Sequence, residues 1–475
     1  MNNWELTVGL EVHIQLSTKT KMFCQCISRY GEEPNSLTCP ICLAMPGSLP
    51  IINQEAINMA VKLSHALNFD VNNNTSFSRK NYYYPDLPKG YQITQFNDPI
   101  CKNGKLEIED KDKKYTIGIT RAHLEEDSGK LIHHSDNCSF VDLNRAGSPL
   151  IEIVSEPEIH SSEHAKLYLE KLKQIIKYID ISDCDMEKGN LRVDINVSVK
   201  KEGDLKLGTR REVKNLNSFK SVQKAIEYEY EKQIELIESG HKIEQSTLTW
   251  DEKNNRTKVI RKKEDAHDYR YFPDPDLLPL EFDDKFIENI KKEIPELPDQ
   301  KKNRFIEKFK LSPYEATILV SDLDTSKFFE KVIEKSDVKL SANWITGELF
   351  ALLNENNLEI AESPISPENL SKLINLISNG TISGKIAKTI FEIMSKEDKD
   401  PNIIVEEKGL KQESDPKALE DLIQNVLSSN EDKVKEYKSG KDKLFGFFVG
   451  QVMKESKGKG NPQMINKILK EKLNG

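Results

Sequence analysis

Residues Trp4–Leu16 alternate apolar and polar side chains for a full strand length. Leu6, Val8, Leu10, Val12, Ile14 and Leu16 point one way, while Glu5, Thr7, Gly9, Glu11, His13 and Gln15 point the other. A period of two specifies a strand with one face in a core and the other available for chemistry. Asn190–Lys200 repeats the pattern, with Leu191, Val193, Ile195, Val197 and Val199 opposite Arg192, Asp194, Asn196 and Ser198. Shorter strands fit Tyr115–His123, Leu150–Val154 and Arg210–Val213. Amphipathic helices are predicted between them. One covers about 163–180, with Leu172, Ile175, Ile176 and Ile179 on one face. A second covers about 219–239, with Val222, Ile226, Tyr230, Ile234 and Ile237 on one face and Gly240 at the C′ position. The pattern predicts an α+β chain whose N-terminal part is a mostly antiparallel sheet.

Further along, Tyr269–Pro279 carries three prolines and reads as an extended connector. After it the pattern turns helical. Short helices are expected over about 296–395, one of them around Ser341–Asn354 with Ser341 as N-cap. The charged stretch Ser395–Pro401 reads as a second linker, and the last ~70 residues form a small helical module with a thin core. The expected organisation is a sheet-rich domain over 1–292 followed by two all-helical domains, 293–402 and 403–475.

The chain has 475 residues and a net charge of −9, which fits about three domains and gives no overall reason to expect nucleic acid. No window approaches the ~18 apolar residues of a transmembrane helix. The sequence opens without a basic and then apolar leader pattern, so a cytoplasmic protein is expected. Four of the seven cysteines crowd together as Cys24, Cys26, Cys39 and Cys42, a C-x-C-x12-C-x2-C spacing. Two close pairs a dozen residues apart suit a tetrahedral zinc site. With all four positions filled by protein, such a zinc would be structural rather than catalytic.

Chemistry-bearing residues gather on the polar faces. Glu11 and His13 are neighbours on the first strand; Asp194 lies between Arg192 and Asn196, and Glu212 between Arg210 and Lys214. The stretch Ile119–Lys130 adds His123, Glu125, Glu126 and Asp127, and Glu152 sits inside an apolar run. Oxygen-rich groups with one imidazole suit Mg²⁺ or Mn²⁺, and adjacent cations can hold phosphate oxygens. Each strand alone also fits an ordinary solvated face. Arg79–Gln92 packs Arg79, Lys80, Lys89 and four tyrosines around two prolines, as a substrate wall or as an aromatic-rich loop. No glycine-rich phosphate loop is present. Residues 441–475 carry eight Lys against three acids, and Lys454, Lys457 and Lys459 fall in Lys454–Asn461 (KESKGKGN), whose Gly-Lys-Gly turn between two helices reads as a phosphate-binding or merely solvated loop.

Val8–Gln15 (VGLEVHIQ), Arg79–Gln92 (RKNYYYPDLPKGYQ), His123–Lys130 (HLEEDSGK), Val141–Pro157 (VDLNRAGSPLIEIVSEP), Glu212–Ser218 (EVKNLNS) and Asp268–Pro275 (DYRYFPDP) closely resemble the GatB family, the kinase subunits of glutamyl/aspartyl-tRNA amidotransferases. The tail resembles that family's YqeY-like domain. The resemblance implies a cradle-like catalytic domain and an ATP- and Mg²⁺-dependent kinase half. That half would phosphorylate the side-chain carboxylate of Glu-tRNA(Gln) or Asp-tRNA(Asn). Ammonia from a separate amidase partner, which hydrolyses glutamine, would displace the phosphate, with a small third partner completing a heterotrimer. It further implies Glu11, His13, Glu125 or Glu126, Asp194 and Glu212 as catalytic residues. Of these, Glu11, His13, Glu125, Asp194 and Glu212 would be Mg²⁺ ligands, with His123 less firmly placed. Lys80 and Lys89 would line an ammonia path, the four cysteines would hold structural Zn²⁺, and the tail lysines would contact tRNA. A tRNA-binding scaffold with an inert acidic face, or a stand-alone metal-dependent hydrolase, are the rival readings of the residues.

Overall fold

The computed structural model describes residues 3–111, 113–133, 138–262, 268–411, 416–456 and 460–474. The chain divides into two compact units, Met1–Pro298 and Asp299–Gly475. The class is α+β, with a large, mostly antiparallel sheet in the first unit and helices in the second.

The first unit is organised by a twelve-stranded sheet. Its strands are β1 (Trp4–Gln15), β2 (Asp70–Val71), β3 (Ser78–Asn81), β4 (Tyr91–Thr94), β5 (Cys101–Asp110) and β6 (Lys113–Glu126). They continue with β7 (Pro149–Ser155), β8 (Leu191–Lys201), β9 (Arg211–Leu216), β10 (Ser246–Asp251), β11 (Arg256–Lys262) and β12 (Phe272–Pro273). The main path runs β11-β10-β9-β8-β1-β7-β6-β4-β3-β12, and β5 joins β6 with β2 beyond it. Every pairing is antiparallel except β9 with β10.

The long alternating segment β1 lies in the middle, between β7 and β8. Its apolar row Leu6, Val8, Leu10, Val12 and Ile14 is buried in one continuous core with side chains of three helices, α1 (Gln54–Ala66), α2 (Ser162–Tyr178) and α3 (Phe219–Glu238). The helices α2 and α3 start where hydroxyls can cap them. Ser161 Oγ accepts from His164 N, and Ser218 Oγ accepts from Ser221 N, each at 3.0 Å. Gly240 takes φ +79° just past α3, the left-handed position its sequence context predicts.

Two segments differ from the sequence expectation in ways that matter. The strand expected at Tyr115–His123 continues to Glu126, which carries Glu125 and Glu126 into the sheet. The proline-rich segment after residue 268 is more than a connector, because Phe272 and Pro273 pair with Arg79 and Ser78. Arg79 fastens it, donating to Asp274 and to Asp276 at 2.8 Å each while lying over the Tyr91 ring. Tyr271 then stacks on Phe96 with ring centroids 4.9 Å apart, and Lys80 lies 4.9 Å from the Tyr269 ring.

The second unit is helical throughout its described residues and has two apolar cores. One extends from Phe305 to Val405 and the other from Leu419 to Leu473. Ser341 is not an N-cap. Asp337 caps the helix Val338–Trp344, and Ser341 is buried inside it, donating to Asp337 O. The helix starts at Val338, ahead of Ser341, and the Asp337 carboxylate accepts from Leu340 N at 2.8 Å. The stretch 395–401, expected as a linker, joins two helices of the first of these cores and is hydrogen-bonded to a third. Asp398 accepts from Ser366 N and Asn369 Nδ2, and the helix Pro401–Glu407 buries Ile404 and Val405. Among the described residues no helix is long and apolar enough to cross a membrane.

Replacing Arg79 by Met should lower stability by about 2–3 kcal/mol, because the fully buried Asp274 carboxylate loses its counter-charge. Arg79 keeps some solvent contact, so the loss falls below the ~3–5 kcal/mol of a fully buried pair. Denaturant unfolding of the variant checks this, and Asp274→Asn in the same background should recover part of the loss.

Candidate active site

The register around β1 decides which polar side chains meet. His13 lies opposite Glu152 of β7 on one side and Arg192 of β8 on the other. Glu11 lies opposite Asp194. Glu152 in turn faces His123 of β6, and Asn196 faces Glu212 of β9. Residues from five strands therefore share one face, since directly opposed strand residues point the same way.

Two groups of potential ligands result. His13, Glu125 and Glu152 offer atoms all within 4.8 Å of one another, and so do Glu11, Asp194 and Glu212. In the first, His13 Nε2 is 3.7 Å from both Glu125 and Glu152, and His123 Nε2 is 3.3 Å from Glu152. In the second, Lys214 Nζ bridges Asp194 and Glu212, the latter at 2.7 Å. Asn196 Nδ2 donates to Glu11 at 2.8 Å, and Thr247 Oγ1 donates to Glu212 at 3.0 Å. A cavity of about 380 Å³ opens onto this face, lined by His13, Glu125, Glu152, Asp194 and the cations Lys80, Arg192 and Lys214 among others.

The electrostatics are those of charge crowded away from water. Burial pushes the Glu125 carboxyl up to about 8, with Glu152 adding to the shift. Burial likewise raises Glu11, Glu152 and Asp194. It pushes His123 down to about 3, with Arg121 contributing, and holds His13 well below its ordinary range, with Arg192 contributing. Burial would raise Glu212 too, but Lys214 and Thr247 hold it below its usual value. Neutral imidazoles beside carboxyls that ionise only at a cost form a donor set that a small hard cation would stabilise. The residues fit such a cation on a second ground. Asn196 Oδ1 and His123 Nδ1 are buried with no hydrogen-bond partner among the described residues, while the equally unpartnered Arg192 Nε is a donor and suits an anion such as phosphate instead.

Not every expected residue joins this face. Glu126 follows Glu125 on the strand and points to the opposite side, where it accepts from Lys89 and from Ile93 N. Lys89 and Glu126 line a separate cavity of about 200 Å³ beside Cys24 and Cys42, whereas Lys80 faces the acidic cavity. Glu152 and Arg192 hold more central places than the sequence suggests. Glu152 does carry a signal, since it is the one charged residue inside an apolar strand. Asp127 anchors the rim, accepting from Arg192 at 2.9 Å with Arg145 at 3.3 Å. The four cysteines converge as their spacing predicts, with sulfurs within 4.8 Å of one another. Cys39 N donates to Cys42 Sγ at 3.1 Å. In the tail, Lys454 is exposed near the end of the helix Leu444–Glu455, while Lys457 and Lys459 lie outside the described residues.

Comparison with known proteins decides the family. Residues 6–288 match the GatB/GatE catalytic domain family and residues 327–473 the GatB domain family. The B subunit of the aspartyl/glutamyl-tRNA(Asn/Gln) amidotransferase of Pelagibacter ubique is 55% identical over 99% of this chain and 97% of its own length. The chain belongs to the GatB family of amidotransferase subunits. The corresponding B subunits of Persephonella marina and Carboxydothermus hydrogenoformans are 52% and 50% identical, each over 99% of its own length. All the strands that carry the two acid groups fall within the stretch matched by the family's catalytic domain, apart from the first residues of β1.

The shifted groups set a pH dependence for metal-free protein. Glu125 binds its proton up to about 8 when folded but only to 4.5 ordinarily, so its contribution to stability is lost as pH rises toward 8. His123 has the opposite sign, its contribution being lost as pH falls from 6.5 toward 3. In EDTA, the melting temperature of Glu125→Gln should fall less than wild type between pH 6.5 and 8. Parallel declines would contradict the assignment.

Proposed function

We propose that this chain is the carboxylate-activating component of a tRNA-dependent amidotransferase. It would use ATP to phosphorylate the side-chain carboxylate of Glu-tRNA(Gln) or Asp-tRNA(Asn) and then present the acyl phosphate to ammonia. What supports this most is that His13, Glu125 and Glu152, with Asp194 of the adjoining acid group, line a single cavity together with three cations. That is what phosphoryl transfer between two anions demands. The names of the relatives supply the substrate class.

A carboxylate is a poor electrophile toward ammonia. In the reaction proposed, the substrate carboxylate oxygen bonds to the γ-phosphorus of ATP and ADP leaves. Ammonia nitrogen then bonds to the acyl carbon, phosphate leaves with the C–O bond pair, and a proton goes to solvent or a nearby base. Mg²⁺, held by His13, Glu125 and Glu152 and by Glu11, Asp194 and Glu212, would neutralise phosphate charge and polarise the transferred group. Lys80, Arg192 and Lys214 are the chain's own cations for the same charge, and Asp127 and Asn196 hold Arg192 and Glu11 in place. Tyr82 lines the cavity, and Tyr269, on the segment that Arg79 fastens, packs edge-on against it and against Tyr271.

Ammonia would come from the amidase partner, with the third, small partner completing the heterotrimer. The path proposed leads from the Lys89 cavity to the Lys80 cavity. Gln92, which lines the latter, hydrogen-bonds Glu126 O at 2.7 Å between them. A route shielded from bulk water keeps ammonia unprotonated. The cysteine quartet would hold one structural Zn²⁺. The tail, with Lys454, Lys457 and Lys459, would grip the tRNA backbone.

Asp194→Asn and Glu125→Gln in the assembled complex should each reduce tRNA-dependent ADP release about 10²–10³-fold with tRNA affinity retained, the range for loss of one electrostatic contact to a developing charge. Trapping the activated acid with hydroxylamine reads the same step without ammonia. Full ADP release in both variants would leave a tRNA-binding scaffold as the better reading. Truncation after Lys411 should weaken tRNA binding about tenfold or more at ~0.1 M salt and flatten its salt dependence. Equal affinity and slope would remove the tail from the tRNA interface.

A further inference from the structure

Lys21 is a lysine with no solvent exposure at all. Its ammonium donates to Leu37 O at 2.8 Å, to Leu143 O at 3.2 Å and to Cys42 Sγ at 3.7 Å. Among the described residues it forms no ion pair with a carboxylate. Glu126, on the wall of the neighbouring cavity, is already paired with Lys89. Carbonyl dipoles alone compensate a buried ammonium poorly, and an uncompensated charge there would be strongly destabilising. Cys42 is the one side chain it touches that becomes an anion, and four thiolates around one divalent ion carry a net charge of −2.

We infer that Lys21 is the built-in counter-ion of the cysteine site and ties that site to the turn that shapes the active-site rim. The inference rests on the four-cysteine zinc reading. Its second half follows from the hydrogen bonds. Leu143, which accepts from Lys21, begins the turn that carries Arg145 and Gly147. Met22 N donates to Gly147 O at 2.7 Å, and a side chain at Gly147, where φ is +85°, would meet the Lys21 stem, Cys42 and Glu126. Arg145 donates to Ser128 O and Gly129 O and sits on Asp127, the carboxylate that also holds Arg192 at the acidic cavity. Lys21 thus acts on the reaction only as a positioning residue. Its direct partners are a metal ligand and two backbone carbonyls.

The test uses the full-length chain loaded with zinc. Zinc is counted first. Less than about one equivalent, with none taken up on addition of Zn²⁺, would overturn the cysteine-site reading itself and with it this inference. With zinc bound, its release to a chromogenic chelator is timed for wild type, Lys21→Met and Lys21→Gln. The inference predicts release about 10–100-fold faster in Lys21→Met, the usual scale for losing a partner of a metal ligand, with Lys21→Gln between the two. Release at the wild-type rate from a folded Lys21→Met protein would overturn it. A measurement on wild type alone covers the case in which neither variant folds. Amine acylation mapped by peptide mass should spare Lys21 in the zinc form and modify it after chelation, when the counter-charge is gone. Continued protection of Lys21 in zinc-free protein would overturn the inference equally.

Discussion

The antiparallel register of β1 between β7 and β8 is the constraint on which everything else depends. It sets Glu11 against Asp194 and His13 against Glu152 and Arg192. Because strand side chains alternate, a slip by one residue would turn these groups toward the helices and expose Val12 and Ile14 instead. The apolar rows of the same strands make such a slip prohibitively costly. The core that stabilises the fold therefore also aims the charged face. The site is precise because it is built on paired strands rather than on loops.

That face works against itself in the absence of ligands. Five carboxyl groups from five strands stand close together and partly dry, and burial raises four of them. Lys214 and Arg192 offset only part of the charge. Clusters of perturbed ionisable groups in a cleft are candidates for functional sites, and the reaction proposed above is placed here on that ground. On the reverse side, Lys89 is paired with Glu126, and Lys21 donates to Cys42 Sγ. The two sides of one strand end are thus electrostatically distinct, through nothing more than the alternation of Glu125 and Glu126.

Much of this is legible in the sequence, and the rest is hidden for physical reasons. The alternation in Trp4–Leu16 and Asn190–Lys200 reveals the strands and their polar faces, and the cysteine spacing reveals the four-sulfur cluster. Strand neighbours are not written locally, so the division of the five acids and His13 into two groups of three cannot be read. Glu152 is visible as a charge in an apolar run, but its partners His13 and His123 lie on strands distant in sequence. Choosing between Glu125 and Glu126 requires knowing that the strand runs on to residue 126, which the local pattern does not mark. Ser341 misleads because a serine inside a helix and a serine capping one look alike until the turn before it, here Asp337, is known. Lys21 carries no signal, since burial of a lysine depends wholly on what the fold brings around it.

Locating bound Mn²⁺ by anomalous scattering, in the full-length chain with a non-hydrolysable ATP analogue, tests the central claim most directly. Density between His13, Glu125 and Glu152, or between Glu11, Asp194 and Glu212, with the analogue's phosphates toward Lys80, Arg192 or Lys214, is the predicted result. Metal and phosphates bound elsewhere, with these acids still engaged only by protein side chains, would contradict it.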